Sequence, residues 1–286
     1  MKIAIGTAQM GMPYGISNTT GQTSIEDAGE IIRVARERGI DTIDTAIAYG
    51  DSEQRLGDIG VNGFRIISKL PAVPAEITDI RGWVFQSVER SLSRLKQSVL
   101  HGLLLHRPEQ LFTDLGPRLY EVLAELRDHG FVEKIGVSIY NPVQLESLIA
   151  GFSFDIVQSP INIFDRRIAE SGWSKKLNDM GIELHGRSLF LQGLLLMPSH
   201  ARPAHFGRWT DLWKCFDAWV ARSGRTPLEL ALGFVSSNLY ISRIVAGVEN
   251  CSQLKEILRA TEQDLNGVSF PKFEVEESLI NPALWQ

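Results

Sequence analysis

Short, uniformly apolar runs recur along the chain at Ile3–Ala8, Asp41–Ala46, Phe64–Leu70, Leu100–His106, Val132–Ser138, Phe154–Gln158, Ile182–Ser188 and Ile241–Gly247. They lack the alternation of a half-exposed strand, so they predict strands covered on both faces, as in a parallel sheet. Amphipathic segments lie between them. Ser24 opens the first as an N-cap, with Glu26 and Asp27 in the first turn and Gly39 at its end. Within it Ala28, Ile31, Ile32 and Ala35 make one apolar stripe. Asp79–Lys96 repeats the pattern with Val84, Val88, Leu92 and Leu95. Pro117–Gly130, Pro142–Ala150, Arg166–Met180, Pro227–Leu239 and Ser252–Glu262 follow it too. Several open on a proline, whose missing N–H costs nothing in a first turn.

Eight strand–helix units follow one another with no linker between them. An open doubly wound sheet also alternates in this way, but eight undivided units fit a closed barrel better. The predicted fold class is α/β, a (β/α)8 TIM barrel forming a single domain over residues 1–286. Met197–Arg225 is long for a strand-to-helix connection and predicts an extra helix from Trp209 to Arg222. Long connections of this kind sit at the C-terminal face of a barrel and shape its site.

Composition narrows the class without locating a site. Length alone allows one or two domains. The chain carries 29 Lys and Arg against 34 Asp and Glu, a net charge of -5, which opposes a nucleic-acid partner. No apolar run is long enough to span a membrane. Met1–Met10 lacks the basic start of a secretory leader, so the expectation is a cytoplasmic protein. Cys215 and Cys251 are too few for a disulfide framework, and no His, Cys and Asp spacing resembles a metal site.

Polar groups stand where the barrel strands end. The second strand runs into Asp44 and then Tyr49, the third ends at Ser68-Lys69, and the fourth at His106-Arg107. Barrel closure would bring Asp44, Tyr49, Lys69 and His106 together. A tyrosine with a pKa of about 10 is a weak acid at neutral pH. A nearby lysine ammonium favours its phenolate, and a carboxylate holds that cation in place. A histidine beside it can share a hydrogen bond with a carbonyl oxygen. Together they would protonate an alkoxide as it forms. His101, His129, His185, His200 and His205 stand outside this set, with His185 expected inside the seventh strand.

The run Asp44-Thr45-Ala46-Ile47-Ala48-Tyr49-Gly50, followed by Ser68-Lys69 and Leu104-Leu105-His106-Arg107-Pro108, resembles the aldo-keto reductase family. The resemblance extends from Gly6-Thr7-Ala8 through Gly136-Val137-Ser138 and Gln158 to Arg187-Ser188-Leu189-Phe190-Leu191-Gln192-Gly193. It implies hydride transfer from a nicotinamide cofactor to a small-molecule aldehyde or ketone. By that resemblance Tyr49 is the proton donor, Lys69 lowers its pKa, Asp44 pairs with Lys69 and His106 orients the carbonyl. Ser138 and Gln158 would hold the nicotinamide amide, with Ile139 where the family commonly has Asn. Arg187 stands where an aromatic ring often stacks on the nicotinamide, and a guanidinium can stack as well.

Gly6, Thr7, Ala8, Ser188, Leu189, Gln192, Gly193, Gly247, Val248, Asn250 and Glu256 complete the implied cofactor residues. Gln253 falls where an arginine often clamps the 2′-phosphate, and Glu249 adds a negative charge beside it. NADP(H) is the favoured cofactor by resemblance, and this loop keeps NAD(H) as the alternative. Met12, Tyr14, Trp209 and Trp213 are substrate candidates by position. The Gly6–Asn18 stretch is similar to reductases of sugar-modifying pathways, which tilts the substrate toward a sugar-derived or small polar carbonyl. A reductase-like protein that senses the cofactor with little turnover is the main alternative. A lyase using Lys69 as a Schiff base is another, though Asp44 nearby would oppose it.

Overall fold

The computed structural model describes residues 2–265 and 267–285. Eight parallel strands close into a barrel in chain order: β1 (Lys2–Gly6), β2 (Thr42–Asp44), β3 (Arg65–Leu70), β4 (Gly102–Leu105), β5 (Ile135–Ser138), β6 (Ile156–Pro160), β7 (Glu183–Arg187) and β8 (Arg243–Gly247). Closure comes from β1 on β8, in register from Lys2 opposite Arg243 to Gly6 opposite Gly247. All eight apolar runs thus form strands, and the chain is a single (β/α)8 barrel.

The helices are α1 (Ala8–Gly11), α2 (Ile25–Glu37), α3 (Ser52–Ile59), α4 (Ile80–Leu95), α5 (Gly116–Asp128), α6 (Gln144–Gly151), α7 (Arg167–Glu170), α8 (Trp173–Asp179), α9 (Thr210–Ser223), α10 (Pro227–Ser236), α11 (Cys251–Thr261) and α12 (Glu277–Ile280). Side-chain caps fix their starts. Ser24 accepts from the Asp27 amide at α2, and Thr226 and Glu229 make a reciprocal capping box at α10. The extra helix expected at Trp209–Arg222 is α9.

Three expectations need correction. The first strand ends at Gly6 rather than Ala8, and Ala8 opens the short α1. The single helix expected over Arg166–Met180 is two, because Gly172 takes a left-handed φ of 78° between α7 and α8. Helix α3 was not foreseen at all. Among the described residues, no helix is long and apolar enough to cross a membrane.

Alternation along each strand divides side chains between the helix-facing core and the barrel interior. Ile67, Leu104 and Ile156 form a small buried cluster separate from the main core. Glycines make room for them. A Cβ on Gly102 would come within 2.9 Å of Ile67 and Ile156, and one on Gly136 within 2.8 Å of Leu104. Two residues further along these strands, the same alternation places Lys69, His106 and Gln158 at the C-terminal mouth.

Candidate active site

The mouth is organised around one buried ion pair. Lys69 is 1% exposed, and its Nζ lies 2.5 Å from Asp44 Oδ1. It also donates to the Thr45 carbonyl at 2.9 Å. The second Asp44 oxygen accepts from Gln158 Nε2 at 2.7 Å, and Ser138 donates to Gln158 Oε1 at 3.3 Å. Four strands therefore contribute to one hydrogen-bonded layer. Burial disfavours the Lys69 ammonium, but the Asp44 and Tyr49 charges and the Asp44 hydrogen bond outweigh it and raise the pKa above that of an ordinary lysine. An amine held charged in this way is poorly suited to Schiff-base chemistry.

Tyr49 caps the pair. The ammonium lies 5.0 Å from its ring centroid, and the His106 imidazole meets the ring edge-on with centroids 5.8 Å apart. Burial, with help from the Lys69 and Arg187 charges, pushes the His106 pKa down to about 4. His106 is therefore neutral at physiological pH and available as a hydrogen-bond donor. Asp44, Tyr49, Lys69 and His106, distant in sequence, do converge.

The backbone holding Tyr49 is fixed from two sides. Gly50 adopts a φ of 53°, and a Cβ there would lie 2.1 Å from the Gly11 carbonyl. A Cβ on Gly11 would lie 1.8 Å from the Tyr49 carbonyl. Helix α1 thus presses directly on the turn. Below it, Ser52 donates to Thr7 while Glu53, at the start of α3, is 2% exposed. The Glu53 carboxylate accepts from Ser68 at 2.7 Å, Ser91 at 2.6 Å and Arg94 at 2.5 Å. Sequence reading missed this anchor; an acidic residue in the first turn after Asp51 was its only local signal.

Residues implied for a cofactor line the other side. Arg187 donates to the Ile139 carbonyl at 3.0 Å and to Ser188 Oγ at 3.1 Å, and its guanidinium lies 4.5 Å from the Tyr140 ring centroid. Beyond it Ser188, Leu191 and Gln192 hold φ angles of 58°, 50° and 54°, followed by Gly193 at 89°. Non-glycine residues in this region store strain, and backbone of this kind can turn N–H groups toward an anion. Leu189 and Val248 are buried, as are Gly6 and Ala8. Gly247 packs against Gln9. Asn250 caps α11 by accepting from the Gln253 amide at 3.0 Å. Gln253 in turn binds the Glu249 amide at 2.8 Å, and Glu256 accepts from Ser252 at 3.3 Å. These polar and strained groups run from β5 round to β8, and their chemistry suits an anionic ligand.

Two sequence-derived candidates have buried side chains held by the scaffold. Thr7 is fully buried, with its hydroxyl committed to the Asp44 carbonyl and Ser52, so its side chain braces β2 and α3 rather than facing a ligand. Trp213 is enclosed by Phe164, Phe216 and the Arg202 guanidinium, and its indole donates to the Phe206 carbonyl. It packs α9 onto the barrel. Trp209 is also largely buried, but its indole N–H has no partner among the described residues. Met12 ends α1. Tyr14 leaves 38% of its surface exposed, yet burial of its hydroxyl end, with Tyr49 alongside, pushes its pKa up to about 12. His185 lies in β7, buried against Glu183.

The Aldo/keto reductase family model matches residues 2–274. Aldo-keto reductase YhdN of Bacillus subtilis (strain 168) is 30% identical over 181 residues, 59% of this chain and 53% of that protein. An aldo-keto reductase of Mycobacterium sp. (strain KMS) is 32% identical over 133 residues, 45% of this chain and 46% of its own length. The matched portion thus spans about half the length of these curated relatives. Among solved structures, the holo form of aldo-keto reductase AKR11C1 from Bacillus halodurans superposes with a TM-score of 0.71 at 18% identity, covering 100% of this chain and 92% of that one. The thermostable aldo-keto reductase Tm1743 gives 0.68 at 23% identity over 93% and 91%. At these identities the structural likeness shows the fold. The family match over nearly the whole chain shows more: this protein belongs to the aldo/keto reductase family.

Proposed function

We propose that the protein reduces an aldehyde or ketone to an alcohol, using a nicotinamide dinucleotide. The observation that carries this reading is the charged Lys69–Asp44 pair buried beneath Tyr49, with neutral His106 at the ring edge. The bound cofactor supplies the hydride that adds to the carbonyl carbon. Tyr49 gives its hydroxyl proton to the carbonyl oxygen. The Lys69 ammonium stabilises the negative charge that develops on the phenol oxygen, and Asp44 keeps that ammonium charged and stationary. His106 donates a hydrogen bond that orients the carbonyl. Ser138, Gln158 and Arg187 are the groups for the nicotinamide end, while the Ser188–Gly193 backbone and the start of α11 suit the phosphates. Met12, Tyr14 and Trp209 remain the substrate-side candidates.

At the adenosine end, the pairing of Gln253 with Glu249 puts a carboxylate and a neutral amide where the family resemblance would place an arginine clamp. A charge-assisted clamp of that kind contributes about 1.5–3 kcal/mol. Its replacement supports use of both NADP(H) and NAD(H). Fluorescence titration of the protein with NADPH and NADH should give dissociation constants within about tenfold of each other, a gap of about 1.4 kcal/mol. Binding of neither dinucleotide would refute the reductase reading. A strong preference for NADPH would refute only the account of Gln253.

A further inference from the structure

Two guanidinium groups share one aromatic ring at the mouth. Arg187, from β7, lies 4.5 Å from the Tyr140 centroid, and Arg107, next to His106, lies 5.8 Å from the same centroid. Neither faces a carboxylate among the described residues. Arg187 donates only to a carbonyl and a hydroxyl. Arg107 is exposed, with the Tyr140 ring as its recorded partner. Asp44 is bound by Lys69 and Gln158, and Asp165 by Arg167, while Glu109, two residues beyond Arg107, accepts from the Gln144 amide. Arg167, by contrast, is paired with Asp165 and Glu277. The chain as a whole carries a net charge of -5, yet among the described residues Arg107 and Arg187 at its mouth make no ion pair.

We infer that the carbonyl substrate carries an oxyanion, a carboxylate or a phosphate, received by Arg107 on the Tyr140 ring, next to the cofactor-side Arg187, while its carbonyl meets Tyr49 and His106. The inference rests on the reductase reading and deepens it by naming a substrate class. Guanidinium groups present paired donors that match carboxylate and phosphate oxygens. Both guanidinium groups lie against the Tyr140 ring. The field of Arg187 already reaches His106, Lys69 and Tyr14, so the anion subsite adjoins the reacting groups. Arg107 separates this role from cofactor binding. It belongs to the β4 end beside His106, whereas the groups suited to the dinucleotide lie from β5 to β8.

Matched aldehydes test the inference. With the holoenzyme at saturating cofactor, kcat/KM is measured for 4-carboxybenzaldehyde and 4-formylphenyl phosphate against neutral 4-methylbenzaldehyde. Wild type should prefer at least one anionic substrate by about tenfold or more, and the two anionic arms show whether carboxylate or phosphate fits. Arg107→Gln should cut that preference about tenfold, mainly through KM, and Arg107→Lys should restore part of it. Equal efficiency on all three aldehydes would overturn the anion subsite while leaving the reductase reading intact. A preference that survives Arg107→Gln unchanged would overturn it too. Failure to turn over any of the three with cofactor bound would instead refute the reductase reading, and this inference with it.

Discussion

Neutral His106, partly buried, and charged Lys69, fully buried, are set by opposite balances. Burial dominates at His106 and lowers its pKa to about 4, whereas the Asp44 charge overrides burial at Lys69. The histidine has a consequence for stability. Above its ordinary pKa of 6.5 both folded and unfolded chains carry it neutral. As pH falls from there toward about 4, the unfolded chain takes up a proton that the native state excludes, so native stability declines. His106→Gln should flatten the fall in Tm across that window, measured by thermal melts at several pH values. Parallel curves for the two proteins would contradict the assignment. At this scale the polar groups at strand ends were legible in the sequence, because a lysine in an apolar strand demands a partner. The burial of Thr7 and Trp213 was not legible, because burial depends on neighbours the sequence does not display. The pairing of Arg107 with Arg187 across Tyr140 was invisible for the same reason.

Strands were the most legible elements, because burial on both faces leaves uninterrupted apolar runs. Helix α3 was missed. It is only eight residues long, and its buried positions include Ser52 and Glu53 beside Leu56 and Gly57, so no apolar stripe announces it. What holds it is polar: Glu53 joins α3 to β3 through Ser68 and to α4 through Ser91 and Arg94. This anchor lies one short turn from Tyr49. Glu53→Ala should leave two buried hydroxyls and a half-buried guanidinium unpartnered and destabilise the protein by about 2–4 kcal/mol, read by urea denaturation. A loss below about 0.5 kcal/mol would show that α3 is held by packing alone.

At the scale of the whole molecule, barrel closure converts a sequence-wide scatter into one site. Asp44, Lys69, His106, Ser138, Gln158 and Arg187 come from six successive strands or their ends, and only the β1–β8 seam makes their neighbours a ring. Repetition of strand and helix made that architecture readable, whereas net charge could not place the cations. The central claim is that this ring delivers a proton through Tyr49 to a carbonyl receiving hydride. It is tested most directly by a single-turnover experiment: protein loaded with NADPH is mixed with 4-carboxybenzaldehyde, and loss of cofactor absorbance is followed for wild type and Tyr49→Phe. The account predicts cofactor oxidation in wild type and a rate lower by about 10²–10⁴-fold in the variant, with NADPH affinity retained. An undiminished rate in Tyr49→Phe would contradict it.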